Sequence, residues 1–227
     1  MSKRSFALLA GAVGAIALTG TAHAGSQVLG DSGWTAMWAD GAGGNSVSIS
    51  TPDAVTADAV YVEKFISYTS NAPVTVLFQQ TSPNAVPYIV INDEQLVNHS
   101  GSAWTSFTMQ LVGSAAFDPA KSNVGQSGGF DVSPFSNGSF SADNTILTID
   151  GGGSISSEVP NNVWFPGAGP GELWAIAATG DEGNLASFSL VETPATAIPV
   201  PAAVWSGLSG LLALGAVSMG KRLRRLA

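Results

Sequence analysis

The segment Ser46-Val47-Ser48-Ile49-Ser50 decides the fold class, because its polar and apolar residues alternate strictly. This two-residue period is that of a β-strand with one face buried and the other face in solvent. Residues 59–68 and 74–78 are rich in branched and aromatic side chains, and a polar connection at 69–73 separates them. The pattern therefore predicts strands on both sides of the segment.

The rest of the chain repeats this pattern. Further short apolar segments lie at 34–38, 88–91, 104–111, 145–149, 173–177 and 185–191. Residues 118–139 are polar and glycine-rich and predict a long loop, whereas 180–184 predict a hairpin turn between the last two strands. About ten short strands without helical periodicity are typical of a sandwich. We therefore predict an all-β fold, an antiparallel β-sandwich forming a single domain over residues 25–196.

The N-terminal end has the order of parts of a secretory signal. Lys3 and Arg4 precede an apolar run at 6–18, and Ala22-His23-Ala24 places small residues before Gly25. Signal peptidase requires this small-x-small arrangement. We predict a signal peptide over residues 1–24, cleaved between Ala24 and Gly25, and hence an exported chain.

The C-terminal end has the composition of a membrane-spanning helix. Residues 202–220 carry no charge, and at 1.5 Å per residue they would span roughly 29 Å, close to the thickness of a bilayer core. Pro199 and Pro201 would stop the helix upstream, and Trp205 occupies an interfacial position. The basic residues that follow are Lys221, Arg222, Arg224 and Arg225. The positive-inside rule places that end in the cytoplasm.

This tail, residues 197–227, resembles the PEP-CTERM class of bacterial sorting signals. Ile198-Pro199-Val200-Pro201-Ala202 is similar to the variant typified by Val-Pro-Leu-Pro-Ala, with Val200 where the parent class has a glutamate. Trp205 and the terminal arginines continue the likeness. The resemblance implies processing by an exosortase, a membrane enzyme. It also implies a transient stay in the inner membrane, then deposition at the cell surface or in the extracellular matrix of a Gram-negative bacterium that makes exopolysaccharide.

The exported part is strongly acidic. All 16 acidic residues of the chain lie between Asp31 and Glu192, whereas Lys64 and Lys121 are the basic residues of that part. Its net charge is therefore −14, against −8 for the whole chain. Such a surface repels nucleic acid and attracts cations. The chain has no cysteine, which excludes thiol catalysis and iron–sulfur chemistry.

Few residues suggest catalysis. His99 lies beside Ser100, but a lone loop histidine is more often a surface residue than part of a catalytic triad. Neither a Gly-x-Ser-x-Gly elbow nor a phosphate-binding glycine loop occurs in the sequence. We therefore expect a protein that is not an enzyme. A secreted glycoside hydrolase with two carboxylates stays as an alternative, because sequence cannot test their separation.

A structural calcium ion is the one inorganic ligand that the sequence suggests, and no other cofactor is expected. Asp143, Asn144 and Asp150 would offer oxygens from neighbouring positions. Asp40 with Asn45, and Asp181 with Glu182 and Asn184, are further groups of this kind. None has EF-hand spacing, and ordinary turn chemistry explains the same residues.

Trp164 is the candidate glycan contact, because residues 160–167 read as a loop and an indole face stacks on sugar rings. Packing in the core is the interpretation that we favour for this tryptophan. Taken together, the sequence predicts a structural or adhesive component of the cell surface or biofilm matrix, in contact with extracellular polysaccharide. A carbohydrate-binding module is the alternative.

Overall fold

The computed structural model describes residues 24–50, 52, 54–92, 94–125, 128–167, 171–177, 180 and 184–196. Most of the predicted signal peptide and the whole predicted sorting tail lie outside these residues, so both stay predictions. Within the described part of the chain, no helix is long and apolar enough to cross a membrane.

The described residues form sixteen strands and one short α-helix, which confirms the all-β fold class. The strands are β1 (Ala24–Val28), β2 (Trp34–Ala39), β3 (Ser46–Ile49), β4 (Ala54–Val55), β5 (Ala59–Val62), β6 (Lys64–Tyr68), β7 (Val74–Gln80), β8 (Tyr88–Ile91), β9 (Gln95–Asn98), β10 (Trp104–Gly113), β11 (Ala115–Phe117), β12 (Asn137–Phe140), β13 (Ile146–Ile155), β14 (Val163–Trp164), β15 (Leu173–Ala177) and β16 (Ser187–Thr196). The helix is α1 (Pro119–Ser122), and 3-10 turns lie at Gly30–Ser32 and Ala42–Gly44.

Seven of these strands form the large sheet, whose order is β1-β2-β7-β16-β10-β13-β12. Every pairing in it is antiparallel. Alternation sets the inward face: along β7, Val74, Val76, Phe78 and Gln80 are buried, whereas the residues between them are more exposed. This is the two-residue period that the sequence predicts.

Two smaller sheets face the large one across a shared hydrophobic core. Their strand orders are β11-β15-β8-β5-β4 and β14-β9-β6-β3. The chain passes from the first to the second at Glu63, between β5 and β6, and again between β8 and β9. We call these two passages the joint. Tyr68, from one small sheet, packs edge-on against Trp104 and Phe107 of the large sheet.

The prediction that all strands pair in antiparallel fashion is wrong at the joint. The pairs β5–β8 and β6–β9 are parallel. The reason is that β7, which follows β6, belongs to the large sheet. The chain crosses to that sheet and returns, so that β8 and β9 run in the same direction as β5 and β6. The predicted single strand at 59–68 is accordingly two strands divided at Glu63.

The predicted hairpin at 180–184 is wrong, whereas the predicted loop at 118–139 is largely confirmed. β15 pairs with β8 and β11 in a small sheet, and β16 pairs with β7 and β10 in the large sheet. The chain therefore changes layer here instead of turning back on itself. Among the described residues of the 118–139 segment, those of α1 and the start of β12 at Asn137 have regular structure.

The buried side chain of Gln80 holds this crossing in place. Its Oε1 accepts hydrogen bonds from the backbone N–H of Gly180, at 2.7 Å, and of Ala186, at 2.9 Å. Its Nε2 donates to the carbonyl of Ser82 at 2.7 Å. The amide thus supplies the partners that a strand neighbour would otherwise give to the crossing backbone.

We expect Gln80→Ala to lower the free energy of unfolding by about 1–3 kcal/mol, because it leaves two backbone donors without an acceptor. Urea denaturation of the full chain measures this change. Gln79→Ala is the matched control, since Gln79 is the exposed neighbour on the same strand. Equal effects of the two substitutions would contradict the anchoring role of Gln80.

Candidate functional site

A lysine lies between two glutamates in the interior of the protein, at the joint. Lys64 is the first residue of β6, Glu94 immediately precedes β9, and Glu192 lies within β16. The Nζ of Lys64 donates hydrogen bonds to Oε1 of both glutamates. Lys64 is 3% exposed, and both glutamates are fully buried. We call these three residues the triad; it connects one small sheet to the large sheet.

Strand geometry brings the three side chains together. In the parallel pair β6–β9, Phe65 is opposite Gln95, so Lys64 and Glu94 are neighbours one position earlier. Alternation in β6 turns Lys64 inward together with Ile66 and Tyr68. In β16 the same alternation turns Glu192 inward with Leu190. The charged groups therefore occupy positions that the two-residue period assigns to the core.

The side chains of the triad are buried, and one aromatic residue, Tyr68, bonds to the strand that carries Glu192. The hydroxyl of Tyr68 donates to the backbone carbonyl of Glu192 at 3.3 Å. The second carboxylate oxygens, Oε2 of Glu94 and Oε2 of Glu192, are buried and accept no hydrogen bond within the described part of the chain. Buried polar atoms are normally paired, so these two oxygens mark an unusual site.

Burial and mutual repulsion decide the charges. Burial first, and then the charge of Glu192, raise the pKa of Glu94 to about 8. Burial alone would lower the pKa of Lys64, but the attraction of both glutamates outweighs it and raises that pKa. Burial and the two carboxyl groups also raise the pKa of Tyr68. At neutral pH the carboxyl group of Glu94 therefore holds a proton.

The other lysine between residues 25 and 196 is also engaged. The ammonium of Lys121 lies 3.7 Å from the ring centroid of Tyr88 and 4.4 Å from that of Trp174. This is the geometry of a cation–π interaction. Of the two basic side chains between residues 25 and 196, one is thus buried and the other is seated on aromatic rings.

Trp164, the candidate glycan contact, is buried, as the favoured interpretation of core packing predicts, so its indole face is closed to a glycan. Trp164 is 2% exposed and its Nε1 donates to the carbonyl of Ser133 at 2.8 Å. Its ring meets those of Phe107 and Phe135 edge-on, with centroids 5.3 and 5.1 Å apart. The adjacent Phe165 is instead 49% exposed, so only one residue of this apolar pair is buried.

Among the calcium candidates, Asp143 and Asp150 lie at opposite ends of a hairpin, whereas Asp181 and Glu182 lie outside the described residues. Asp143 accepts hydrogen bonds from the hydroxyls of Ser141, at 2.6 Å, and Thr145, at 3.0 Å. Asn144 adopts a left-handed turn conformation with φ of 55°. Asp150 pairs with Asn137 at the end of the β12–β13 hairpin away from that turn. Across the described residues, no three acidic or histidine side chains are placed to hold a metal ion.

The remaining candidates for catalysis are separated or inaccessible. The ring of His99 lies 3.5 Å from the side-chain amide of Asn162, and the hydroxyl of Ser100 bonds to Asn98 instead of to the histidine. Glu94 and Glu192 are the carboxyl pair that shares a partner, but burial closes them to a sugar. A depression of about 150 Å³ at the surface is lined by Ser48, Ser50, Glu63, Lys64, Phe65 and Gln95. It contains one carboxylate, whereas a glycoside hydrolase needs two.

The processing residues fall mostly outside the described range. Gly25 is described: it is paired with Trp38, whose indole occupies the space that a Cβ at this position would need. Ala24 begins β1. The residues outside are Ala22, Ile198, Pro199, Val200, Pro201, Ala202, Trp205, Arg222, Arg224 and Arg225.

Neither a protein-family model, nor a curated protein, nor a solved structure matches this chain. Among the groups above, the triad is the one whose charged side chains are buried, are in contact with one another and have carboxyl oxygens without a hydrogen bond from the described residues. The sequence does not predict it as a site. The signal that would have revealed its lysine is the alternation Lys64, Ile66, Tyr68.

We expect Lys64→Met to destabilise the protein by about 3–5 kcal/mol, because it leaves two buried carboxyl groups without their cation. Urea denaturation of the full chain measures the loss. Lys121→Met is the control; it removes an exposed cation–π contact, for which we expect about 1 kcal/mol or less. A loss at Lys64 no larger than that at Lys121 would contradict the structural role of the triad.

A second expectation concerns the turn at Asp143. The hydrogen bonds from Ser141 and from Thr145 hold the pKa of Asp143 below its ordinary value. A depressed carboxyl pKa contributes stability above the ordinary pKa, and that stability is lost as the pH falls through the folded value. Ser141→Ala should therefore raise the pKa of Asp143 in a pH titration followed by NMR. Ser139→Ala is the control, and an unchanged pKa in Ser141→Ala would contradict this explanation.

Proposed function

We propose that the protein is an exported, non-enzymatic component of the bacterial cell surface or extracellular matrix, delivered by an exosortase-type sorting system. The observation that carries this proposal is the order of parts in the sequence. An acidic β-domain stands between a secretory signal at residues 1–24 and a sorting tail at 197–227. Its role in the exopolysaccharide or biofilm is structural or adhesive.

The route follows from the two ends of the chain. Signal peptidase frees Gly25, while the apolar helix at about 202–220 and its basic end halt translocation in the inner membrane. The segment Pro199-Val200-Pro201 cannot join that helix and stays extended next to the bilayer. A membrane-embedded exosortase then has access to it, and processing releases the domain, a single β-sandwich at 25–196.

The charges of the domain support a surface role. Its net charge is −14, and its two lysines are engaged with glutamates or aromatic rings. Exposed carboxyl groups belong to Asp31, Asp58, Asp131, Asp143, Asp150 and Glu158. Such a surface stays hydrated and attracts counter-ions, as a matrix component requires. The burial of Trp164 also weakens the alternative of a carbohydrate-binding module, which depended on that residue.

Processing of the tail is the direct test. In a host with an exosortase, we expect the wild-type chain to begin at Gly25 and to lack Trp205 and the terminal arginines. Replacing Pro199 and Pro201 with alanine lets the helix extend through the recognition segment, so full-length tail should accumulate in the inner membrane. Intact-mass measurement of the surface and membrane fractions reads both results.

The matched control is Pro73→Ala, the same change at an exposed proline of the domain, which should leave processing unchanged. Deleting the exosortase should reproduce the effect of the double proline substitution. Recovery of wild-type chains that all end at Ala227 would overturn the sorting proposal and leave a permanently anchored envelope protein.

A further inference from the structure

We propose that the triad is an autocatalytic site that joins Lys64 to Glu94 by an amide bond. In this reaction the Nζ of Lys64 is the nucleophile, the Cδ of Glu94 is the acceptor, and Glu192 takes up the lysine proton. This goes beyond delivery to the surface, because it assigns chemistry to the folded domain itself and does not depend on where the domain is deposited.

The reacting groups are already in contact. Lys64 Nζ is hydrogen-bonded to Oε1 of Glu94 and to Oε1 of Glu192. The parallel pairing of β6 with β9 fixes Lys64 and Glu94 as neighbours, and the central strand β16 carries Glu192. Holding a nucleophile and an acceptor in contact replaces a bimolecular encounter, which is a large part of the barrier to forming an amide.

The reaction needs one glutamate as the acceptor of the amine and the other as the general base, and the two glutamates fit these different roles. A protonated carboxyl group accepts an amine and releases water, whereas a carboxylate resists attack. Burial and the neighbouring charge raise the pKa of Glu94 to about 8, so it carries a proton at neutral pH. Glu192, bonded to the same ammonium, is placed to act as the general base that frees the amine.

The atoms and charges balance without another reactant. Lys64 begins as an ammonium, Glu94 as a carboxylic acid and Glu192 as a carboxylate. One proton passes from Nζ to Glu192, the new N–C bond forms at Cδ of Glu94, and a C–O bond of Glu94 breaks. The departing hydroxyl leaves with a second proton from Nζ as water. The products are a neutral amide, a protonated Glu192 and one water molecule.

The product suits this interior better than the reactants do. The reaction converts a buried cation and a buried anion into neutral groups, and burial of charge is costly. It also removes one oxygen of Glu94, a residue whose Oε2 accepts no hydrogen bond from the described residues. The remaining amide N–H can donate to Glu192, so the site keeps a polar contact with the large sheet.

The wild-type protein provides the decisive test. The full chain is purified from cells, fully unfolded and digested with chymotrypsin, which cuts after aromatic residues such as Tyr68 and Phe78 between the two partners. We expect a branched peptide in which Lys64 and Glu94 are joined and the mass is lower by one water molecule. Tandem mass spectrometry assigns the linkage, which distinguishes it from a water-loss succinimide at Asp150-Gly151.

Three variants accompany the wild type. Lys121→Arg removes the other lysine of the domain and should keep the branched peptide. Lys64→Met and Glu192→Gln remove the nucleophile and the base, and the branched peptide should be absent from both. Separate, unmodified Lys64 and Glu94 peptides from folded wild-type protein would overturn the proposal, and so would a linkage from Lys64 to Glu192. Because the wild-type chain alone decides between these outcomes, a variant that fails to fold does not obscure the result.

Discussion

The burial of Lys64 between Glu94 and Glu192 is the constraint on which the arrangement of the sheets depends. Removing an ion from water costs several kcal/mol even after relaxation, so each member of the triad is tolerable only while the others are in place. Lys64 and Glu94 belong to one small sheet, and Glu192 belongs to the centre of the large one. The two layers must therefore pack in one relative position, because only that position brings Lys64 into contact with both glutamates.

The triad also lies where the second layer divides into two sheets. At the joint the chain leaves one small sheet and enters the other, so the hydrogen-bonded ladder is interrupted between β5 and β6 and between β8 and β9. Aromatic packing of Tyr68 on Trp104 and Phe107 closes the core beside it. With no cysteine in the chain, the triad is the strongest polar link that we find between the layers in the described structure. An amide bond between Lys64 and Glu94 would make the contact between these two residues of the triad covalent.

The alternation of polar and apolar residues allowed the strands to be predicted. The crossing between sheets and the triad could not be predicted, because they depend on residues that are far apart in the sequence. The segment at 46–50 is β3 and the segment at 74–78 is part of β7, because a local period of two reports one buried face. The supposed hairpin at 180–184 failed because Gln80, 100 residues earlier, holds a crossing between sheets. The triad was missed because Lys64 and Glu192 are 128 residues apart and charged residues suggest a surface. Trp164 is packed, as the favoured interpretation of the sequence has it, although it lies in the short strand β14 and not in a loop.

The central claim is that Lys64 is sealed between two glutamates while Lys121 remains at the surface. Acylation of amines on the native full-length protein, followed by peptide mass spectrometry, tests it most directly. We expect rapid modification of Lys121 and none of Lys64 until the protein is unfolded, and none even then in molecules that carry the amide bond. Modification of Lys64 in the native protein at the rate of Lys121 would contradict the burial of the triad and everything built on it.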